Sequence, residues 1–444
     1  MLEKRNNIFG TDGIRGRYGD FPLDKDSISK IGNIIGELFN RKKIIIGRDT
    51  RESSDTIFDI LTNTINDKVK IINIGIASTP MVSYLTKTEK ASLGISITAS
   101  HNPYHDNGLK FFNSDGEKIE DHLKNIISNE FLKKNKINFY SENKIINEKH
   151  LINKYIDFVI KGMKLNNTNK KILIDAANGA TFEIVEKIFS KLNIKYKIIN
   201  NNPDGKNINK NCGSTHIEKL KDYMLESDFE LAVSFDGDGD RIIFMDSELN
   251  ILDGDFSLLL ISDFLFKTGE YNKIVIGTIM SNLGIEEELN RRGIKFYRSK
   301  VGDENVYKLM KEKKAVIGGE NSGHTILLNK HNTGDGILTS IYFLKALDYF
   351  SIKPNTLYKS IKLYPQKTKS LYVKSMPELD EIKGLNKEIK RFEQEYKNNA
   401  RLIIRYSGTE PKIRIMVEAE NYSIIEKEIN LFKNIILNKI GVKT

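Results

Sequence analysis

Short runs of β-branched and other apolar residues recur along this chain. Each ends in Gly or Asp and is followed by a polar loop and then a helix-like stretch. "KKIIIGRDTR" (residues 42–51), "KKILIDAANGAT" (170–181) and "NKIVIGTIMSNLG" (272–284) are the clearest cases. Apolar runs without alternation read as strands buried on both faces, as in parallel sheets. Strands alternating with helical segments predict βαβ units. The spacing predicts three successive α/β domains of similar build, related by weak structural repetition. From about Thr368 the pattern changes. "KSLYVK" reads as a strand, residues 379–397 as a charged helix, "RLIIRYSGTEPKIRIMVEA" as strand, loop and strand, and 424–440 as a closing helix. This predicts a smaller α+β C-terminal domain. The expected boundaries give domains at 1–152, 153–253, 254–365 and 366–444, packed directly on one another because no Pro- or Gly-rich linker separates them.

Composition narrows the class. A hydrophobic share of 39% and a charged share of 29% suit a globular protein with a sizeable core. No apolar stretch approaches the ~20 residues that span a bilayer. The first residues, "MLEKRNNIFGTDGIRG", lack the apolar core of a signal peptide. Cys212 is the sole cysteine, which excludes an intramolecular disulfide framework. A cytoplasmic enzyme is the expectation. The net charge of +10 raises the question of nucleic acid. Basic and acidic residues are interspersed without a basic block, so neither nucleic acid nor membrane is expected as a partner. The excess charge suits attraction of a small dianionic substrate.

Four loops carry candidate chemistry. In "FDGDGDR", Asp236, Asp238 and Asp240 alternate with glycines after a strand-like run. Converging carboxylates repel unless a cation or protons neutralise them, and hard oxygen ligands favour Mg²⁺, Ca²⁺ or Mn²⁺. An EF-hand is excluded by Arg241 at its sixth position, Ser247 at its twelfth, and a following strand. "RYSGTEPKIR" is an anion cradle in outline: Arg405 and Arg414 supply guanidinium forks, Ser407 and Thr409 hydroxyls, and Gly408 a backbone turn. Neither a P-loop nor a GxGxxG motif occurs. "GGENSGHT" places Glu320, Ser322 and His324 in a glycine-rich loop suited to sugar hydroxyls. In "ITASHNPYHDNG", adjacent Ser100 and His101 do not make a hydrolase triad, and no GxSxG elbow exists. A serine that carries phosphate fits better, with the aspartates holding a metal against it.

"FGTDGIRG", "TASHNP", "DGDGDR", "GENSGH" and "SGTEP", in this order, resemble the α-D-phosphohexomutase superfamily. The first of these, with "PDGKNINKNCGST" and "TIMSNLG", is similar to its glucosamine branch. The resemblance implies three similar α/β domains plus a smaller α+β C-terminal domain around a central cleft. It implies an isomerase that interconverts glucosamine 6-phosphate and glucosamine 1-phosphate on the route to UDP-N-acetylglucosamine. Ser100 would be the phosphoserine, passing through a sugar 1,6-bisphosphate that serves as activator and intermediate. Ser100, Asp236, Asp238 and Asp240 would bind one Mg²⁺ per subunit. Arg15 and Arg241 would lie near phosphoryl oxygens, and Lys110 and His101 would do acid/base work. Glu320, Ser322 and His324 would meet the sugar, and Arg405, Ser407, Gly408, Thr409 and Arg414 the other phosphate. The partner implied is a small sugar phosphate, and a homodimer is an assembly to test. Two positions depart from the family pattern: Asn321, where this branch usually shows Gln, and Glu304, where many members carry Arg. A phosphomannomutase/phosphoglucomutase would keep the mechanism and change the sugar. A sugar-phosphate sensor would not need Ser100, Lys110 and all three aspartates, and a phosphatase would not need the second phosphate grip.

Overall fold

The isoleucine-rich runs form the inner strands of three mixed sheets. The first contains β1 (Ile14–Arg17), β2 (Lys43–Arg48), β3 (Lys70–Ile76), β4 (Leu93–Ile97), β5 (Asp106–Phe112) and β6 (Ile145–Asn147), in the order β1-β5-β4-β2-β3-β6. The second contains β7 (Lys171–Asp175), β8 (Lys195–Ile199), β9 (Leu231–Phe235), β10 (Ile242–Asp246) and β11 (Ile251–Leu252), in the order β11-β10-β9-β7-β8. The third contains β12 (Ile274–Thr278), β13 (Lys295–Ser299), β14 (Ile317–Gly319) and β15 (Thr325–Leu327), in the order β13-β12-β14-β15. This computed structural model describes residues 8–10, 12–140, 145–163, 165, 171–192, 194–270, 272–407 and 411–442.

The repetition is topological. Taking β2, β7 and β12 as first strands, the second strand pairs parallel on one side and the third parallel on the other. A fourth strand then runs antiparallel to the third. Each sheet is therefore mixed, where the sequence suggested parallel sheets. The connection after each third strand is too short for a helical crossover, so the chain folds straight back. Ser100, the three aspartates and Glu320 all lie in these fold-back loops, at the carboxyl end of a parallel strand. They flank the point where the strand order reverses, which is where open α/β sheets bind ligands.

Local sequence explains the scaffold. Ile44, Ile45 and Ile46 have no exposed surface, as expected of an inner strand covered on both faces. The helix Lys25–Leu38 starts at Asp24, whose carboxylate accepts from the Ser27 amide at 2.9 Å. Its Ile28, Ile31 and Ile35 fall on one face and join the core with Ile44, Ile46 and Leu61.

The chain divides into two units, Met1–Met280 with Arg292–Ser360, and Ser281–Arg291 with Ile361–Thr444. In the second, β16 (Gln366–Tyr372), β17 (Ala400–Tyr406) and β18 (Lys412–Ala419) form an antiparallel sheet, order β16-β18-β17. The helix Tyr422–Ile440 lays Ile425, Ile429, Phe432 and Ile436 into the core with Ile413, Ile415 and Val417. The segment expected as one helix over 379–397 is a short turn, Leu379–Glu381, followed by the helix Leu385–Tyr396. The helix Leu283–Arg291, expected with the third α/β domain, clusters with this unit. Asn282 Nδ2 donates to the Tyr364 carbonyl at 2.9 Å, and its Oδ1 accepts from the Tyr364 amide at 3.1 Å. A Cβ on Gly284 would stand 1.9 Å from the Lys362 carbonyl oxygen, so only glycine fits there.

Candidate active site

Ser100 follows β4 on a loop fixed by its own backbone groups. Its φ is +54°, in the left-handed region that non-glycine residues rarely occupy. Its amide donates to Thr98 Oγ1 at 2.9 Å. Its hydroxyl donates to Asp236 Oδ2 at 2.7 Å, and His101 Nδ1 lies 3.4 Å from Ser100 Oγ. The serine of the first sheet thus meets the aspartate loop of the second.

Asp236, Asp238 and Asp240 are buried, and one ligand oxygen from each lies within 4.8 Å of the others. Asp236 Oδ1 accepts from the Arg241 amide at 3.1 Å. Asp238 Oδ2 accepts from Thr79 Oγ1 at 2.6 Å and from Lys110 Nζ at 2.8 Å. Asp240 Oδ2 accepts from Lys110 Nζ at 2.8 Å. Asp238 Oδ1 and Asp240 Oδ1 are buried without a hydrogen-bond partner among the described residues. Burial, with Asp240 and Asp238 beside it, pushes Asp236 well above the usual carboxylate range. Three hard carboxylates with two orphaned oxygens fit a divalent cation.

Cations surround this triad. Lys110, almost fully buried, also lies 3.3 Å from Asp12 Oδ2. Burial alone would lower its pKa, but Asp12, Asp238 and Asp240 outweigh that and raise it well above the ordinary lysine value. Arg15 pairs with Asp12, and its Nε is buried without a hydrogen-bond partner among the described residues, as is that of Arg241. Arg241 Nε lies 3.9 Å from Asp240 Oδ1. Burial, then Arg241 and Arg15, lower the His101 pKa to about 4.

The loop between β14 and β15 brings in the third domain. His324 Nδ1 lies 3.7 Å from Asp240 Oδ1, and its Nε2 accepts from the Gly334 amide at 3.2 Å. Glu320 is buried, and its Oε1 accepts from the Gly302 amide at 2.9 Å. Ser322 and Asn321 are half-buried beside it. Glu304 pairs with Lys308 at 2.9 Å on its own helix and with Lys124 of the first domain at 3.3 Å. Its departure from the family pattern therefore has a local electrostatic partner.

In the second unit, Arg405 and Arg414 are directly opposed across β17 and β18. Burial, then Arg414, lower the Arg405 pKa. Like charges in register destabilise a sheet unless an anion lies between them. The Ser407 amide donates to the Lys412 carbonyl at 2.8 Å. Gly408 and Thr409 lie outside the described residues.

Models of the phosphoglucomutase/phosphomannomutase family match four consecutive stretches: alpha/beta/alpha domain I over residues 6–138, domain II over 153–249, domain III over 253–364 and the C-terminal domain over 369–432. The chain is 39% identical over 424 residues to a phosphoglucosamine mutase of Buchnera aphidicola subsp. Acyrthosiphon pisum (strain Tuc7), covering 93% of this chain and 95% of that protein. The chain belongs to the phosphoglucosamine mutase family. Its members are isomerases of the phosphohexomutase type. A phosphoglucomutase/phosphomannomutase family protein from Burkholderia thailandensis shares the fold, with a TM-score of 0.81 at 20% identity over 98% of this chain and 99% of that one. So does an Aspergillus fumigatus N-acetylphosphoglucosamine mutase in complex with GlcNAc-6P and magnesium, with a TM-score of 0.62 at 16% identity over 89% of this chain and 82% of that one.

Within this family member, some residues at the site were not singled out in the sequence. Asp12, Lys118 and Asp303 connect Lys110 to the third domain: Lys118 pairs with both aspartates, and Asp303 lies 3.6 Å from His324 Nε2. Thr79 braces Asp238, and Asp49, Arg51 and Asn209 hold the Ser100 loop. The one available signal was position, since Asp49 and Arg51 follow a first parallel strand, on the far side of the strand-order reversal from Ser100.

Proposed function

We propose that this protein interconverts glucosamine 6-phosphate and glucosamine 1-phosphate, with the transferred phosphate carried on Ser100. The observation that carries this reading is the 2.7 Å hydrogen bond from Ser100 Oγ to Asp236 within a buried acidic triad. Phosphate on Ser100 would sit against the triad, with the free Nε donors of Arg15 and Arg241 nearby. A sugar hydroxyl attacks the phosphorus, the bond to Ser100 Oγ breaks, and a 1,6-bisphosphate forms. After reorientation, Ser100 Oγ takes back the other phosphate. The proton lost by the attacking hydroxyl is returned when the second transfer is complete, and Lys110 and His101 are the side chains assigned to carry it. Mg²⁺ held by Asp236, Asp238 and Asp240 would neutralise charge on the transferring group. Support comes from the two orphaned carboxylate oxygens and from the magnesium in the Aspergillus fumigatus complex.

Glu320, Ser322 and His324 are assigned to the sugar, and Arg405, Ser407 and Arg414, with Gly408 and Thr409, to its other phosphate. A sugar 1,6-bisphosphate is the activator that recharges Ser100. The domain boundaries near 152, 253 and 366 and a cytoplasmic location belong to the same reading. Among the described residues no helix is long and apolar enough to cross a membrane. A coupled assay with glucosamine, glucose and mannose 6-phosphates tests the substrate. Highest kcat/KM for the amino sugar supports the reading, and preference for a mannose phosphate overturns it.

A further inference from the structure

The left-handed Ser100 backbone is gripped from two domains by side chains that touch none of the atoms assigned to the reaction. Arg51 has no exposed side-chain surface. Its Nη2 donates to the carbonyls of Ser100 and Asn102, both at 2.9 Å, and its Nη1 to that of Pro103. Its Nε donates to Asp49 Oδ2 at 2.8 Å, and Asp49 is itself fixed by Thr98 Oγ1 at 2.7 Å and Ser54 Oγ at 2.8 Å. From the second domain, Asn209 Nδ2 donates to the same two carbonyls, Ser100 at 2.9 Å and Asn102 at 3.1 Å. A Cβ on Gly237 would stand 2.6 Å from the Ser100 carbonyl oxygen and 2.7 Å from Asn209 Nδ2, so the aspartate loop closes the same junction.

We propose that Arg51 and Asn209 are positioning residues for phosphoryl transfer. Together they form a clamp that holds Ser100 left-handed, with Oγ aimed at the triad, and make that aim depend on the seating of the second domain. A left-handed non-glycine residue persists only where its surroundings over-determine it. Here the surroundings are four hydrogen bonds onto two carbonyls, two from Arg51 of the first domain and two from Asn209 of the second. Without them the serine relaxes towards the extended region and Oγ turns away from Asp236. A misplacement of this kind costs rate more than binding.

The inference rests on the phosphoserine reading, and the test separates the two. Wild type, Asn209→Leu, Asn209→Ser and Arg51→Lys are charged with glucose 1,6-bisphosphate. Leucine keeps the volume and removes the donor, serine keeps a shorter donor, and lysine keeps charge against Asp49 without the fork. Single-turnover transfer to glucosamine 6-phosphate is measured by rapid quench, alongside KM, melting temperature and the ³¹P resonance of the phosphoserine. In variants that melt like wild type we expect transfer slower by about tenfold or more, KM within about twofold, and a shifted ³¹P resonance. Serine should fall between leucine and wild type. Absence of phosphate on Ser100 in wild type overturns the phosphoserine reading. A charged wild type, with folded Asn209 variants that transfer at its rate and share its ³¹P resonance, overturns the clamp.

Discussion

At the scale of single residues, the site is a set of groups whose partners dictate their state. Ser100 carries its hydroxyl on a strained backbone, and that hydroxyl adds little to the core. Ser100→Ala should therefore melt within about 1 kcal/mol of wild type while losing mutase turnover. The loss is checked by the coupled assay and by disappearance of a phosphopeptide spanning residues 97–108. Asp238→Asn removes a carboxylate that has one oxygen on Thr79 and Lys110 and one left over. It should weaken metal affinity, read by isothermal titration with Mg²⁺, and slow turnover by at least about a hundredfold. Cys212 lies at the opposite extreme. Burial, then the charge of Asp175, push its thiol up to about 12. At pH 8 almost none is thiolate, so the native protein should resist iodoacetamide and react only on unfolding. Prompt alkylation of the native enzyme would show the thiol environment to be different.

Between residue and molecule lies the fold-back loop, the unit this protein uses three times. Each loop leaves a third parallel strand and returns antiparallel, so it projects functional side chains from a rigid edge. The packing between two such loops is tight enough to test. Gly237→Ala places a methyl 2.6 Å from the Ser100 carbonyl oxygen, and neither backbone can yield without moving Oγ or Asp236. We expect a stability loss of about 1–3 kcal/mol by denaturant titration and a fall in kcat larger than the stability loss explains. The loops themselves were legible in the sequence, because glycine-spaced carboxylates and a serine after a strand announce chemistry locally. What held them was not. Arg51 lies far from Ser100 in sequence, and its role depends on which strands become neighbours. Asn209 stands in "NINKNCGST" and Asn282 in "TIMSNLG", which in the sequence mark the glucosamine branch. In the fold both act on backbone, Asn209 on the Ser100 loop and Asn282 on Tyr364. The mixed sheets escaped the pattern because hydrophobic runs report burial, not strand direction.

At the scale of the whole molecule, the net charge of +10 says less than the placement of a few buried charges. In the first unit, three domains are joined by a ring of ionisable side chains. Asp240 of the second domain meets Lys110 of the first, which meets Asp12, which pairs with Lys118. Lys118 pairs with Asp303 of the third domain, and Asp303 approaches His324, which closes on Asp240. Lys118, like Asp12 and Asp303, lies outside the set assigned to substrate or metal, and it pairs with two aspartates at once. Burial would lower its pKa, but Asp303 and Asp12 raise it above the ordinary lysine value, so it stays charged at neutral pH. Lys118→Met should strand the Asp303 charge and take from Asp12 one of its three cations, Lys110 and Arg15 remaining, and so destabilise the enzyme by about 2–4 kcal/mol, discounted for its partial exposure. Asp303→Asn in the same background should recover part of that loss, because it removes one of the stranded charges. A double-mutant cycle on denaturant midpoints measures the coupling, expected at 1 kcal/mol or more in order of magnitude. Additive effects of the two substitutions would mean that the Lys118–Asp303 contact carries no energy between the first and third domains.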